Sequence, residues 1–265
     1  MSNRGVLHSD RRAFPTPEVL ERSLRTATSG SALAHEPCTH AYFGHVFPDE
    51  VYARIVNGMP PRESFHELRH RDAMRPDGTS TRLRLYLFPE NLWRVPRRQR
   101  SLWREVARVL LSEAVQDGFK DKFRDALQRR FGRSIDALRF YPVPILVRDQ
   151  PGYRIGIHAD ASSKAITVQF YLPRDASQRH LGTIFHRGRN GDAAADTTAM
   201  DFMPNTGYAF PVVPNASWHS VAATGPEDGE RCSLMLTYYV QDGPRQWWKR
   251  RYDRARCLFG VGPRG

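Results

Sequence analysis

The stretch Gly152-Tyr-Arg-Ile-Gly-Ile-His-Ala-Asp160 carries the pattern around which the rest of this 265-residue chain is organised. His158 and Asp160 stand at i and i+2, so in an extended strand both side chains point to one face of a sheet. A third imidazole, delivered from a distant strand by Trp218-His219-Ser220, completes two histidines and one carboxylate on one side of a metal ion. Such a set leaves the opposite coordination positions open for reactants. A His-x-Asp triplet alone is common by chance, so the weight of the reading rests on its surroundings.

Outward from that stretch, Leu138 to Val240 reads as short strands at 139–147, 153–158, 165–172, 181–187, 199–203, 207–213, 218–222 and 231–240. The breakers between them are Asp149-Gln-Pro-Gly152, Pro173-Arg-Asp175, Gly188 to Asp196, Pro204-Asn205, Pro214-Asn215 and Gly225-Pro-Glu-Asp-Gly229. Short strands at this spacing predict a two-sheet jelly roll or a small barrel. Upstream, Thr16 followed by Pro17 predicts a short helix within a loosely attached arm. Pro48-Asp-Glu-Val-Tyr-Ala-Arg-Ile-Val56 predicts a second helix, stopped near Gly58. Thr81 to Phe88 alternates, with Leu83, Leu85 and Leu87 on one face and Arg82, Arg84 and Tyr86 on the other, and so reads as a strand. Residues 97–131 read as two helices broken near Gly118, with stripes through Leu102, Val106, Val109 and Leu110 and through Phe119, Phe123, Leu127 and Phe131.

The expected fold is therefore mainly β with flanking helices (α+β): a jelly-roll or cupin-like core, or a small barrel, buttressed by N-terminal helices. Its parts are an arm with a short helix over 1–36, helical support with an early strand over 37–137, the core over 138–245 and a basic tail over 246–265, all in one domain.

No run of apolar residues is long enough to cross a membrane, and Met1 to Asp10 lacks the apolar centre of a secretory signal. Cys38, Cys232 and Cys257 are odd in number and far apart, which suits reduced thiols and a cytoplasmic location. The net charge of +12 favours anionic partners. Those are nucleic acid, an acidic carrier protein or a small carboxylate or phosphate. The excess is spread over many short arginine clusters, and no recognition helix or aromatic-interleaved basic motif speaks for nucleic acid. No membrane partner is expected.

His158-x-Asp160 at the end of one strand, His219 opening another and Arg231-Cys-Ser233 opening the last together resemble the Fe(II)/2-oxoglutarate-dependent dioxygenases. Pro151-Gly152-Tyr153 and Leu181-Gly182 also resemble the phytanoyl and prolyl hydroxylase branches of that superfamily. The resemblance covers roughly residues 138 to 240 and implies that the jelly-roll core there is a double-stranded β-helix. It implies Fe(II) on His158, Asp160 and His219, 2-oxoglutarate anchored by Arg231 and Ser233, O2 as co-reactant and ascorbate as a support. The implied reaction hydroxylates an unactivated C–H bond and releases succinate and CO2. Halogenases of the superfamily have Gly or Ala in place of the carboxylate ligand, whereas this chain keeps Asp160.

The residues support the same reading on physical grounds. The planar arginine fork meets a carboxylate with two charge-assisted hydrogen bonds, and Arg231 and Ser233 at i and i+2 share a face while Cys232 turns into packing. The alternative for Arg231 is a surface salt bridge; Arg187 and Lys164 are next in line as anchors. Thr167, Gln169 and Tyr171 form the polar face of the strand after the ligands and are candidates near the cosubstrate, with Tyr141 and Tyr153 comparable. Arg82, Arg84, Thr79 and Tyr153 are candidates for reading a substrate's charge. The substrate expected is a small, anionic molecule such as an amino-acid derivative or a natural-product intermediate. The same chemistry on a protein or carrier-bound group, and a non-catalytic jelly-roll metal-binding protein, are the alternatives. His180 and His186 read as surface or supporting groups, His66 and His70 as neighbours on one helix face, and Trp218 as a shield of the metal or plain core.

Overall fold

The computed structural model describes residues 16–190 and 197–260. The N-terminus read for a signal, the end of the Gly188–Asp196 breaker and the last residues of the expected tail lie outside them. In chain order the regular elements are α1 (Pro17–Gly30), β1 (Leu33–Ala34), β2 (His40–Gly44), α2 (Asp49–Asn57), β3 (His66–Glu67), β4 (Arg82–Tyr86), α3 (Arg97–Leu110), α4 (Glu113–Lys122) and α5 (Arg124–Phe131). There follow β5 (Phe140–Asp149), β6 (Ile155–Ala159), β7 (Lys164–Tyr171), β8 (Thr183–His186), β9 (Thr197–Ala199), β10 (Thr206–Pro211), β11 (Trp218–Val221), β12 (Arg231–Val240) and α6 (Gly243–Cys257).

The strands from β5 onward are shared between two antiparallel sheets. The larger runs β1-β2-β10-β7-β12-β5-β4-β3 and the smaller β6-β11-β8-β9. Alternate allocation of successive strands to facing sheets is the jelly-roll topology. Period-two alternation then sorts the side chains. Leu83, Leu85, Leu146, Val168, Phe170, Leu234 and Leu236 leave the large sheet on its helix side and join Leu102, Val106, Phe119 and Leu127 in the main core. The opposite face of the same strands carries Thr167, Gln169, Tyr171, Arg231 and Ser233 toward the small sheet. There Tyr171, Phe185, Tyr208 and Phe210 form a second cluster. Gly182 is required where β8 begins, since a Cβ there would lie 1.4 Å from the Met200 carbonyl oxygen.

Several expectations upstream need correction. α1 is not a loose arm: Leu20 and Leu24 are buried in the main core. Residues 97–131 make three helices, not two. The first break falls at Ser112, whose side chain accepts from the Val115 amide as an N-cap. Gly118 lies inside α4, where it admits Arg25 of α1 to within 3.6 Å of where a Cβ would sit. His66 lies in β3 and His70 beyond it, so they do not share a helix face. The stretch expected as a basic tail is helical through Cys257; Arg250, Asp253 and Cys257 are buried, and Cys257 joins Tyr86, Val143, Val147 and Tyr239 in a third cluster.

Candidate metal centre

β6 and β11 pair so that His219 lies directly across from His158, with the two ring centroids 4.2 Å apart. Asp160 follows the end of β6 on the same face. Ligand atoms of His158, Asp160 and His219 all lie within 4.8 Å of one another. The backbone sets the tautomer of both rings. His158 Nδ1 lies 3.0 Å from the Gly156 carbonyl oxygen and His219 Nδ1 lies 3.1 Å from that of Ser217. A carbonyl can only accept, so each Nδ1 carries the proton and each Nε2 keeps its lone pair free for a metal.

Asp160 is held from two sides. Lys164 Nζ donates to Oδ1 and Thr167 Oγ1 donates to Oδ2 at 2.6 Å. Burial works against its charged form, but the Lys164 and His219 neighbours outweigh it and hold the carboxyl well below the usual range. Each oxygen retains a second lone pair. Burial also pulls the His219 imidazole down to about 4, so it is neutral at physiological pH. Two imidazoles and one carboxylate on one side therefore fit a divalent first-row metal with open positions opposite. Phe210 and Phe185 pack against the His219 ring at centroid distances of 4.9 and 6.3 Å.

The inner face of the large sheet carries a hydrogen-bonded chain away from the triad. Gln169 Nε2 donates to Ser233 Oγ at 2.7 Å, Tyr208 donates to Gln169 Oε1 at 2.9 Å, and Thr183 Oγ1 donates to the Tyr208 hydroxyl at 3.0 Å. The Tyr171 hydroxyl accepts from the Thr183 amide. Beyond Ser233 lies Arg231, fully buried. Its Nε donates to the Leu181 carbonyl and its Nη1 to Asp149 Oδ2, both at 2.8 Å, while Nη2 has no partner. Arg231 is thus not a surface salt bridge.

Asp149 was not among the residues singled out from the sequence, where it reads as the start of a breaker. It is the last residue of β5 and fully buried. The register places Arg82 of β4 and Arg231 of β12 on either side of it. Arg82 donates Nε to Oδ1 at 2.5 Å and Nη2 to Oδ2 at 2.9 Å, with its guanidinium 4.1 Å above the Tyr153 ring. Three cations (Lys164, Arg82 and Arg231) thus face two carboxylates (Asp149 and Asp160) on this side of the large sheet.

The other candidates fall elsewhere. Thr79 is exposed and bonds with Asp77 and Arg75 in its own turn. Arg84 donates to the Gly260 carbonyl. Arg187 meets Glu36 at the surface, and the exposed His180 meets the nearly buried Asp228. His186 bonds Ser220 on the outer face of the small sheet. Strand parity turns Trp218 outward while His219 turns in, so Trp218 neither shields the metal site nor joins the core; its Nε1 donates to the Asn215 carbonyl. Tyr141 packs beneath Phe88 at a ring distance of 6.1 Å. Cys232 packs against the main core, and burial pushes its thiol up to about 12.

No family model matches the sequence, and no curated relative matches it. Solved structures do. An oxidoreductase of the 2OG-Fe(II) oxygenase family from Burkholderia pseudomallei aligns at 15% identity with a TM-score of 0.49, over 89% of this chain and 96% of that one. HygX from Streptomyces hygroscopicus, solved with nickel, 2-oxoglutarate and hygromycin B, aligns at 10% identity with a TM-score of 0.46, over 76% and 82%. A prolyl 4-hydroxylase from Phytophthora capsici aligns at 12% identity with a TM-score of 0.52, over 87% of this chain and 68% of that one. At that identity the likeness speaks to fold, and on that count the chain shares the architecture of a prolyl 4-hydroxylase, with a double-stranded β-helix at its core.

Proposed function

We propose that the protein is an Fe(II)- and 2-oxoglutarate-dependent dioxygenase that hydroxylates a small, anionic molecule. The observation that carries the reading is the convergence of His158, His219 and the Asp160 carboxylate, with the two rings oriented by the carbonyls of Gly156 and Ser217. When bound, iron and 2-oxoglutarate would supply the activation of O2 and the oxidising power, with succinate and CO2 released. The chain's own residues position and screen. Lys164 and Thr167 fix the orientation of Asp160, and Phe185 and Phe210 pack against the His219 ring. Arg231 Nη2 is a buried guanidinium donor with no partner, the kind of group that an incoming carboxylate satisfies. Ser233, Gln169 and Tyr208 extend polar atoms from that donor toward the triad. The excess of cations over carboxylates on the inner face suits a dianionic cosubstrate and favours an anionic substrate beside it.

Succinate formation from 2-oxoglutarate with Fe(II), ascorbate and a panel of amino acids, acyl amino acids and their amides tests the reading. Turnover is expected with the intact chain and should vanish in His158→Ala and His219→Ala, whose far-ultraviolet circular dichroism should stay unchanged. Full activity in either variant overturns the ligand assignment. Stoichiometric metal binding with no succinate from any substrate would favour the non-catalytic alternative. Turnover restricted to peptides or carrier-bound groups would move the substrate to the macromolecular class.

A further inference from the structure

α6 buries one side and leaves the other without cover. Arg250, Asp253 and Cys257 face inward, and the helix is tied to the short 3-10 turn Pro89–Arg94 ahead of α3 through Arg254 with Glu90 and through Asn91 Nδ2, which donates to the Cys257 carbonyl at 2.9 Å. The outward side carries Trp248 and Tyr252, 66% and 67% exposed and one helical turn apart. Phe259, 77% exposed, follows in the turn that continues the helix, and Trp93, 62% exposed, belongs to the same segment as Glu90 and Asn91. Soluble surfaces seldom gather four large exposed rings about one helix without a use for them. Cations border the row: Arg245, Lys249 and Arg251 are exposed, and the Arg251 guanidinium lies 4.0 Å above the Trp247 ring. The helix holds one acid, Asp253, and it is buried between Arg250 and Arg256.

From this charge and ring pattern we infer that α6 is a docking face for an anionic phospholipid surface, which it meets lying flat. Rings projecting from the centre and cations at the flanks are what an interfacial helix needs: the rings settle at headgroup depth and the cations reach the phosphates. Charge argues against a second copy of this chain, because a symmetric pairing would set this face, bordered by Arg245, Lys249 and Arg251 and without an exposed acid on the helix, against an identical cationic face. Duplex nucleic acid offers the rings no unstacked base to meet, and single-stranded nucleic acid, whose bases could stack on them, is separated by the test. The absence of a long apolar run in the sequence bears on spanning, and no helix among the described residues is long and apolar enough to cross a membrane. Lying on a membrane asks only for one face.

The test uses the full chain with large unilamellar vesicles of phosphatidylcholine alone or of phosphatidylcholine and phosphatidylserine. Co-sedimentation is expected with the anionic vesicles, weakening as salt rises, together with quenching of tryptophan fluorescence by brominated lipid. The triple variant Trp248→Ser, Tyr252→Ser, Phe259→Ser should bind at least about tenfold more weakly. All three side chains are exposed, so its melting temperature should match that of the parent. Three outcomes overturn the inference. One is no sedimentation with anionic vesicles at low salt; another is undiminished binding by the variant, which would reduce the effect to net charge. The third is single-stranded DNA binding or concentration-dependent dimerisation that the variant loses while vesicle binding is absent.

Discussion

Asp149→Asn is the sharpest single probe of the interior. The substitution keeps the size of the side chain and removes the negative charge that sits between Arg82 and Arg231. Asp149 and Arg231 have no side-chain exposure and Arg82 has 13%, so the charges left behind are shielded from water. Burial disfavours the Arg82 cation, and the Asp149 charge more than offsets that and raises its pKa. Leaving one member of a buried ion pair uncompensated costs about 3–5 kcal/mol. For a domain of this size that is about 6–20 °C in melting temperature. Chemical and thermal unfolding, followed by circular dichroism, measure the loss. Adding Arg82→Met to Asp149→Asn should then recover part of the stability, because one of the stranded charges goes with it. A loss below about 1 kcal/mol, the size of an exposed pair, would refute the account of Asp149 as the buried counter-ion.

Three further outcomes follow from the same geometry. Arg231→Ala should raise the 2-oxoglutarate requirement by roughly 10- to 100-fold, the worth of a buried charge-assisted contact of about 1.5–3 kcal/mol, read as apparent affinity in the succinate assay; an unchanged value would move the anchor elsewhere. Arg82→Ala should weaken a carboxylate substrate more than its amide if the guanidinium over Tyr153 reads substrate charge, and equal losses on acid and amide would confine Arg82 to its contact with Asp149. His40 is buried and stacked on Phe185 at 4.7 Å, and burial lowers its pKa from the ordinary 6.5. The unfolded chain then takes up the proton first, so stability should fall as pH drops below about 6.5, and His40→Gln should flatten part of that decline in melting temperature between pH 7.5 and 5.5; an equal or steeper decline in the variant would contradict it.

The strands β5 to β12 other than β9 were legible because a half-buried strand imposes an alternation that a single sequence displays, and proline and glycine mark the turns between them; β9 at Thr197–Ala199 shares only Ala199 with the strand expected over 199–203. The same alternation puts His158 and Asp160 on one face, and likewise Arg231 and Ser233, whatever those strands pair with. The helix break at Ser112 was missed because Gly118 is the stronger local signal, whereas the chain stays helical through Gly118 and the Ser112 side chain caps the start of α4. Asp149 could not be assigned as the partner of Arg231, since residues far apart in the chain become neighbours only through the register of β4, β5 and β12. Lys164 reads as a reserve anchor for the cosubstrate until the turn after β6 brings it onto Asp160 instead. α6 reads as a basic tail because its inward side is built from Arg250, Asp253 and Cys257, a set with no apolar stripe to announce burial. Local periodicity is written along the chain, but the pairing of buried charges is a property of register and layer packing, which exist only once the sheets have formed.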